Sequence, residues 1–278
     1  MTTGTTTLKI AIAQTTATAD ARSNGRTVRR LMRAAAAERA RLVQFPEGLL
    51  SGYAKEQIQD WDEVDWPTVR DELEQILALA AELRLWVVLG SAHPLTPPHR
   101  PHNSLYVVSD RGELVDRYDK RFCSHTEITG FYSPGFEPVV FEVDGFRFGC
   151  VICVEINFPD LFAEYRRLGV DCLLLSSYPV DRIFEAKARA YASINICWVG
   201  MSLPSQTSHL MNSGLIGPDG DYLAQVDGGE GLVCADLDRT AFAGWLEGAR
   251  PWRDSAMEGE IYRSVRVDDP RSTDRTCL

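Results

Sequence analysis

The sequence predicts an α/β fold in which mixed β-sheets are covered on their outer faces by helices. Strand-like and helix-like runs alternate along the chain, and several strands come in pairs around a turn. Of the 278 residues, 45% are hydrophobic, which supplies enough apolar side chains for a sizeable core. This composition excludes a disordered chain and a collagen-like repeat.

Two strand-helix units come first. Residues 8–14 alternate apolar with small or polar side chains, as in a strand, and the apolar residues of 24–40 recur at helical spacing. A short strand at 42–46 then precedes a second helix at 66–84, which has Pro67 near its first turn. Each unit can place its helix against one face of a sheet.

A further strand and a hairpin complete the first half. Residues 85–91 are continuously apolar, which is typical of a strand covered on both faces. The turn residues 110–112 separate alternating strands at 103–109 and 113–118. The segment 120–138 is long and rich in Gly, Pro, Ser and Thr, as in many functional loops.

The second half has a similar order of strands, helices and hairpins. Its clearest helix begins at Asn157, a candidate cap followed by a proline, and ends at Gly169. A second helix is expected at 184–195. The predicted strands of this half are residues 139–143, 146–153, 171–176, 197–201, 213–217, 222–226 and 231–237.

Charge and cysteine content restrict the partners and the location of the protein. The 39 acidic and 29 basic residues give a net charge of −10, which disfavours binding to nucleic acid or to an anionic membrane. The seven cysteines are widely spaced and odd in number, so a disulfide framework is not expected. Neither a signal peptide nor an apolar run of membrane-spanning length is visible. We expect a cytoplasmic protein with no nucleic-acid or membrane partner.

Three reactive side chains follow predicted strands. Glu47 lies at the end of an apolar strand, Lys120 follows the second strand of the hairpin, and Cys153 ends a strand just before a helix. The start of a helix favours a thiolate and can hold an oxyanion, and partial burial can make a carboxylate a useful base. Singly, each has an ordinary alternative: a solvated carboxylate, a surface lysine and a structural cysteine. Together, they lie where open sheets commonly assemble sites.

No metal site is expected from the cysteines. Cys150 and Cys153 are spaced as in some metal and redox motifs, but residues three apart in a strand point to opposite faces. A second Cys or His pair at ligand spacing is missing from the sequence.

Three segments resemble the signature segments of the nitrilase (carbon-nitrogen hydrolase) superfamily, in the same order. They are Phe-Pro-Glu-Gly-Leu-Leu-Ser-Gly-Tyr at 45–53, Tyr-Asp-Lys at 118–120 and Ile-Cys-Val-Glu-Ile-Asn-Phe-Pro-Asp at 152–160. The likeness extends over about residues 8–240. It implies a four-layer α-β-β-α sandwich and a single domain spanning residues 1–278. The tail, residues 241–278, is then expected to pack on the domain or on a neighbouring subunit.

The resemblance also implies catalytic roles. Glu47 is the expected general base, Lys120 the oxyanion stabiliser and Cys153 the nucleophile of a thioester mechanism that needs no cofactor or metal. Glu127 matches a second glutamate, which in the family orients the lysine or positions water. Val154 follows the nucleophile where nitrilases tend to have Trp, so amide or N-carbamoyl substrates are favoured over nitriles, and its backbone N–H is a candidate oxyanion donor.

The sequence leaves alternatives for the exact reaction, the assembly and the pocket residues. Alternatives to an amidase are a nitrilase, an acyltransferase that passes the thioester to an amine, and an inactive homologue that serves binding or assembly. The resemblance implies a homodimer or a higher homo-oligomer. Ala192 and Ser193 replace the Glu and Asn usual in the family. Aromatic and other residues near the motifs are candidate pocket residues, with core packing as the alternative: Tyr53, His125, Phe131, Tyr132, Tyr178 and Trp198.

Overall fold

Twelve strands and five longer helices form the described part of the chain, residues 5–258 and 268–270 of a computed structural model. The strands are β1 (Thr7–Gln14), β2 (Leu42–Gln44), β3 (Trp86–His93), β4 (His102–Val108), β5 (Leu114–Asp119), β6 (Val140–Val143), β7 (Phe146–Ile152), β8 (Cys172–Ser176), β9 (Trp198–Ser202), β10 (Gly214–Ile216), β11 (Tyr222–Gln225) and β12 (Gly231–Asp238). The helices are α1 (Ala21–Ala37), α2 (Trp66–Leu83), α3 (Pro159–Arg167), α4 (Ile183–Asn195) and α5 (Arg250–Glu258).

Both sheets have six strands and the same mixed pattern. The first has the order β12-β1-β2-β3-β4-β5 and the second β11-β10-β9-β8-β7-β6. In each sheet three strands pair in parallel, β1-β2-β3 and β7-β8-β9, and the flanking strands pair antiparallel. Two mixed sheets therefore confirm the predicted α/β class.

Alternating side chains on β1 show how the four layers pack. Ile10 and Ile12 belong to the core between the sheets, whereas Ala11 and Ala13 belong to the core beneath α1 and α2. The period-2 alternation of a strand is what allows one strand to serve both cores. On the second sheet, α3 and α4 cover the outer face through buried residues such as Phe162. The order of layers is α-β-β-α, as the resemblance implied.

Two helix starts differ from the sequence prediction. The first helix begins at Ala21, not at residue 24, because the Asp20 side chain accepts a hydrogen bond from the Arg22 backbone N–H and caps it. Asn24 lies inside the helix and its buried side chain bonds the loop before it. The helix predicted from Asn157 begins at Pro159, because Asn157 still belongs to the 3₁₀ turn Cys153–Asn157.

The described part of the C-terminal tail lies against the second sheet and its helices. A short helical segment, Gly244–Ala249, leads into α5. Arg166 of α3 pairs with Asp254 at 2.6 Å, and Arg250 donates to the Val170 carbonyl at 3.1 Å. Residues 259–267 and 271–278 of the tail lie outside the described residues. None of the described helices is both long and apolar enough to cross a membrane.

Candidate active site

Strand direction brings Glu47, Lys120 and Cys153 to one place. Two antiparallel steps, β3 to β4 and β4 to β5, make β5 run in the same direction as β2. The carboxyl ends of β2 and β5 therefore lie at one edge of the first sheet, where Glu47 and Lys120 follow them. Cys153 follows β7 in the second sheet. The site forms where these strand ends from the two packed sheets meet, as in other open α/β sheets.

Lys120 lies between two carboxylates. Its Nζ donates to Glu47 Oε1 at 2.9 Å and to Glu127 Oε1 at 2.8 Å. All three side chains are buried. A buried ammonium is stable only with such partners, because removing its water is costly. The structure thus brings Glu127, the second glutamate implied by the resemblance, to the same ammonium as Glu47.

The charges of this group support one another. Burial by itself would lower the pKa of Lys120. The carboxylates of Glu47 and Glu127 have a larger, opposite effect, so the pKa of the ammonium is raised well above its usual value. Burial likewise opposes the charge on Glu127, but Lys120 and the Ser124 backbone N–H lower the pKa of that carboxyl. The favoured state is a protonated lysine beside an ionised Glu127.

Further donors orient Glu47. Asn103 Nδ2 donates to Oε1 at 2.7 Å, and the Tyr178 backbone N–H donates to Oε2 at 2.8 Å. Gly90 of β3 lets the segment of Glu47 lie close, since a Cβ at Gly90 would collide with the Pro46 carbonyl. Sequence reasoning missed Asn103, although an Asn at the start of an otherwise apolar strand was a usable signal.

Cys153 has a strained backbone and a buried thiol. Its φ of 50° lies in the left-handed region, which is unfavourable for a residue with a side chain and is common at active sites. The side chain is 6% exposed, and Sγ donates to the Tyr178 carbonyl at 3.7 Å. Burial, with Glu47, raises the pKa of the Cys153 thiol to about 12, while Lys120 and the Ser177 hydroxyl oppose the rise.

The prediction that the helix start favours a Cys153 thiolate is therefore wrong for the resting protein. The residue opens only a short 3₁₀ turn, and α3 begins six residues later at Pro159. A single turn contributes a smaller dipole than a full helix, and burial outweighs it. The thiol is neutral near pH 7 and needs a base to become a nucleophile.

Glu155 joins the two sheets beside the site. Its buried carboxylate accepts the Tyr118 hydroxyl at 2.8 Å, the Arg121 and Phe122 backbone N–H groups at 2.6 and 3.1 Å, and the Ile152 N–H at 2.7 Å. These donors flank Lys120 on one side and precede Cys153 on the other. The third signature segment contains Glu155, but the sequence does not indicate its role, because three of its four donors are far away in the chain.

The aromatic candidates have different positions. Tyr53 and Tyr178 stack with ring centroids 4.6 Å apart. Burial, followed by Glu47, Cys153 and Glu127, raises the pKa of Tyr53, and Lys120 opposes the rise. Tyr132 is buried, and its hydroxyl has no hydrogen-bond partner in the described residues. Tyr53 and Tyr132 lie near the charges of Glu47 and Lys120, and Tyr178 contacts Glu47 and Cys153 through its backbone.

Of the remaining pocket candidates, His125, Phe131 and Trp198 have contacts outside the group of reactive side chains, and Val154 adjoins Cys153. His125 is exposed, just before the helical segment Glu127–Phe131, so the structure does not bring it into the buried site. The Phe131 carbonyl accepts from Trp61 Nε1 at 2.7 Å. Trp198 is a core residue packed against Phe146 and Phe242. Val154 follows Cys153 in the first turn, with its backbone N–H near the sulfur by chain connection.

The departures from the family pattern also lie away from the reactive groups. Ala192 is buried in the core beneath α4, and Ser193 lies next to the Gly220 turn. Among the described residues, no group of three or more His, Cys, Asp or Glu side chains is placed to hold a metal ion.

A buried thiol, two carboxylates and an ammonium at the joint edge of two mixed sheets have the composition of an enzyme site for covalent catalysis. The chain belongs to the carbon-nitrogen hydrolase family, whose model matches residues 9–246. This confirms the resemblance to the nitrilase superfamily. The protein is an amidase-like carbon-nitrogen hydrolase.

Known relatives and structures agree with this assignment. An omega-amidase of Saccharomyces cerevisiae is 25% identical over 71% of this chain and 75% of its own length. The chloroplastic omega-amidase of Arabidopsis thaliana is 24% identical over 82% of this chain and 67% of its own.

Solved structures share the fold. An amidase from Nesterenkonia sp. has a TM-score of 0.74 at 19% identity, covering 86% of this chain and 96% of its own. A variant of the Nesterenkonia sp. AN1 amidase, with the acetamide moiety of fluoroacetamide added covalently at its active-site cysteine, has a TM-score of 0.76 at 20% identity, covering 91% and 97%.

Proposed function

We propose that the protein hydrolyses small carboxamides through a thioester on Cys153. The observation that carries the proposal is the placement of one buried ammonium, Lys120, between Glu47 and Glu127 next to a buried thiol. A neutral thiol requires a base, and a developing oxyanion requires a nearby donor. The base, Glu47, and the donor, Lys120, are both present in this buried cluster of charged side chains.

The first step forms the thioester. Glu47 takes the proton of Cys153 as sulfur attacks the carbonyl carbon of the amide, and negative charge moves to the carbonyl oxygen. The Lys120 ammonium and the Val154 N–H stabilise that oxygen. The tetrahedral adduct then expels ammonia or an amine, which receives its proton from Glu47.

The second step releases the acid. Glu47, ionised again, takes a proton from water as the water oxygen attacks the thioester carbonyl. Collapse of the second adduct breaks the carbon-sulfur bond and returns the proton to sulfur. Glu127 holds Lys120 in place through both steps by its 2.8 Å contact. This scheme uses side chains and one backbone N–H of the chain, together with the substrate and water.

Amides are preferred over nitriles as the substrate class. The relatives described above are named omega-amidases, and Val154 stands where nitrilases tend to have Trp. N-carbamoyl compounds share the planar carbonyl and the amine leaving group, and they form the second class to test. Nitrile hydrolysis remains the alternative reaction of the same thiol.

We also propose that the protein acts as a cytoplasmic homo-oligomer. The support is an apolar surface on α4 and the segment before it, where Val180, Ile183 and Ile194 are more than half exposed. Six described cysteines are free, which suits a reducing compartment. Sedimentation should give at least twice the 31.0 kDa chain mass. In an Ile194→Glu variant the mass should fall, whereas a wild type of single-chain mass at micromolar concentration contradicts the proposal.

Ammonia release from a panel of primary amides, N-carbamoyl compounds and nitriles tests the function. We expect turnover of amides by the wild type and loss of at least about three orders of magnitude in Cys153→Ala. Cys150→Ala is the matched control, because Cys150 is a buried thiol on β7, the strand that leads to Cys153, and lies outside the site. Full turnover in Cys153→Ala, or release from nitriles alone, contradicts the proposal.

A further inference from the structure

Ser177 lies beside Cys153 on the neighbouring strand. In the parallel pair β7-β8, Ile152 is opposite Ser176, so the next residue on each strand is Cys153 on one and Ser177 on the other. The Ser177 backbone N–H donates to the Ser202 carbonyl at 3.0 Å, which continues the sheet past the end of β8. The serine is therefore held at the edge where the reactive groups meet.

The Ser177 hydroxyl has no partner in a fully buried position. Its Oγ makes no hydrogen bond with any described residue, although the residue is 0% exposed. Nearby buried serines differ, since Ser176 Oγ donates to the Phe45 carbonyl at 2.8 Å and Ser202 Oγ to the Ala13 carbonyl at 2.7 Å. A buried hydroxyl without a partner is unfavourable in the resting fold, which calls for a role in another state.

The Cys153 sulfur is the reactive atom next to this hydroxyl. In the resting state the thiol donates to the carbonyl of Tyr178, the residue after Ser177. A neutral thiol is a weak acceptor, so it does not satisfy a serine O–H. A thiolate is a much stronger acceptor, because hydrogen bonds to ions are stronger than those between neutral groups.

The charged groups around the sulfur have other tasks or repel it. Two of the three N–H donors of Lys120 are held by carboxylates, and the third is the one proposed for the carbonyl oxygen of the substrate. Glu47 and Glu127 repel a thiolate. Ser177 lowers the pKa of the thiol and carries no charge of its own. The titratable and polar groups that face the sulfur from the surrounding elements are Glu47, Tyr53, Lys120, Glu127, Ser177 and the Tyr178 carbonyl.

We propose that Ser177 is a further catalytic residue, whose O–H donates to Cys153 Sγ as the thiol loses its proton. The serine proton stays on Oγ throughout, and the thiol proton goes to Glu47. At rest Ser177 already lies close enough to the thiol to lower its pKa, although no hydrogen bond of Oγ meets normal geometry, and the bond to Sγ strengthens when the sulfur becomes charged. The effect on turnover rests on the proposed amide hydrolysis, but the effect on thiolate formation does not.

Alkylation of Cys153 by iodoacetamide tests this directly, with the labelled peptide measured by mass spectrometry. At about pH 8 we expect Ser177→Ala to be labelled about tenfold more slowly than the wild type, because the thiol pKa rises by about one unit. Turnover should fall similarly in kcat with little change in KM. Ser202→Ala is the matched control, a buried serine in the next strand whose hydroxyl already has a partner, and its labelling rate should stay at the wild-type value.

Thermal unfolding separates a chemical from a structural role. Ser177→Ala removes an unpartnered hydroxyl, so its Tm should equal or exceed that of the wild type, whereas Ser202→Ala should have a lower Tm. Unchanged labelling of Cys153 in Ser177→Ala overturns the proposal, as does a lowered Tm. If the wild type turns over no amide, the labelling comparison still decides the role of Ser177 at the sulfur.

Discussion

Lys120 shows most clearly what a single residue contributes to the site. The chain has 29 basic residues, of which only Lys9, Lys55, Lys120 and Lys187 are lysines. Lys120 is the one that the motif marked, and its compact ammonium fits between two carboxylates at 2.8 and 2.9 Å. A guanidinium is larger, planar and unable to take the same position.

We predict that Lys120→Arg lowers kcat about 100- to 1,000-fold, because the oxyanion loses its donor and the buried site is overpacked. Steady-state rates of ammonia release measure this. Lys187→Arg, which changes an ammonium bonded to Asn157 at an exposed position, should retain normal rates. Near wild-type activity in Lys120→Arg means that Lys120 is not the oxyanion stabiliser.

Glu155 acts at the scale of the elements. Its carboxylate joins the end of β5 and the residues after Lys120 to the end of β7, so it fixes the separation of the ammonium and the thiol. Burial raises the pKa of Glu155, while the backbone donors of Ile152 and Phe122 oppose that rise. A group with only donors around it must act as an acceptor at both oxygens.

For Glu155→Gln we predict a loss of about 1–3 kcal/mol in unfolding free energy and a lower kcat, because the new amide N–H₂ faces other donors. Urea unfolding and steady-state kinetics measure the two effects. Glu164→Gln is the control, since Glu164 holds the same loop from outside by its 2.6 Å pair with Arg121. Equal effects in both variants contradict a positioning role for Glu155.

His93 makes the edge of the first sheet sensitive to acid. Its Nδ1 lies 2.8 Å from the Tyr106 hydroxyl, and burial, with Arg117, lowers the pKa of the ring from 6.5 to about 4. As the pH falls through 6.5, the unfolded chain binds a proton that the folded protein does not. The stability that the neutral ring contributes is therefore fully present above pH 6.5 and is lost progressively as the pH falls to about 4.

Urea unfolding at about pH 7 and about pH 5 tests this linkage. His93→Gln cannot titrate, so its stability should fall less between the two values than that of the wild type. We expect a difference on the order of 1 kcal/mol, because the ring is only half-buried and water screens its charge. An identical pH dependence in both proteins removes His93 as the cause.

Most strands could be predicted, but some helix ends could not. The period-2 and continuously apolar patterns predicted the strands of both halves, because the residues of each short segment show whether one face or both faces of the strand are buried. The first helix was placed three residues late because Asp20, an effective cap, precedes a stretch with few apolar residues. The 3₁₀ turn Cys153–Asn157 was missed because the left-handed φ of 50° at Cys153 is unusual for a residue with a side chain and has no signal in the sequence.

At the scale of the whole molecule, the site exists because two sheets meet. Glu47 and Lys120 come from the first sheet, and Cys153 and Ser177 come from the second. The motifs predicted which side chains meet at the site, because Glu47, Lys120 and Cys153 are themselves part of the family signature segments. Asn103 has only a weak signal in the sequence and Ser177 has none, since their importance depends on strand register and sheet packing between distant segments.

The fold is shared at about one-fifth sequence identity, so it constrains the identity of most residues only weakly. The Nesterenkonia sp. amidase keeps the same arrangement with a TM-score of 0.74 at 19% identity. Cores accept many combinations of apolar residues provided that volume and patterning are kept. The reactive groups, in contrast, must be kept within a fraction of an ångström of their working positions.

The central claim is that Cys153 carries the acyl group during turnover. The direct measurement is mass spectrometry of protein quenched in acid during steady-state hydrolysis of a primary amide, followed by peptide mapping. We predict a peptide containing Cys153 that is heavier by the acyl group, with no such peptide in Cys153→Ala. Acyl-free Cys153 together with full turnover in Cys153→Ala would contradict the account.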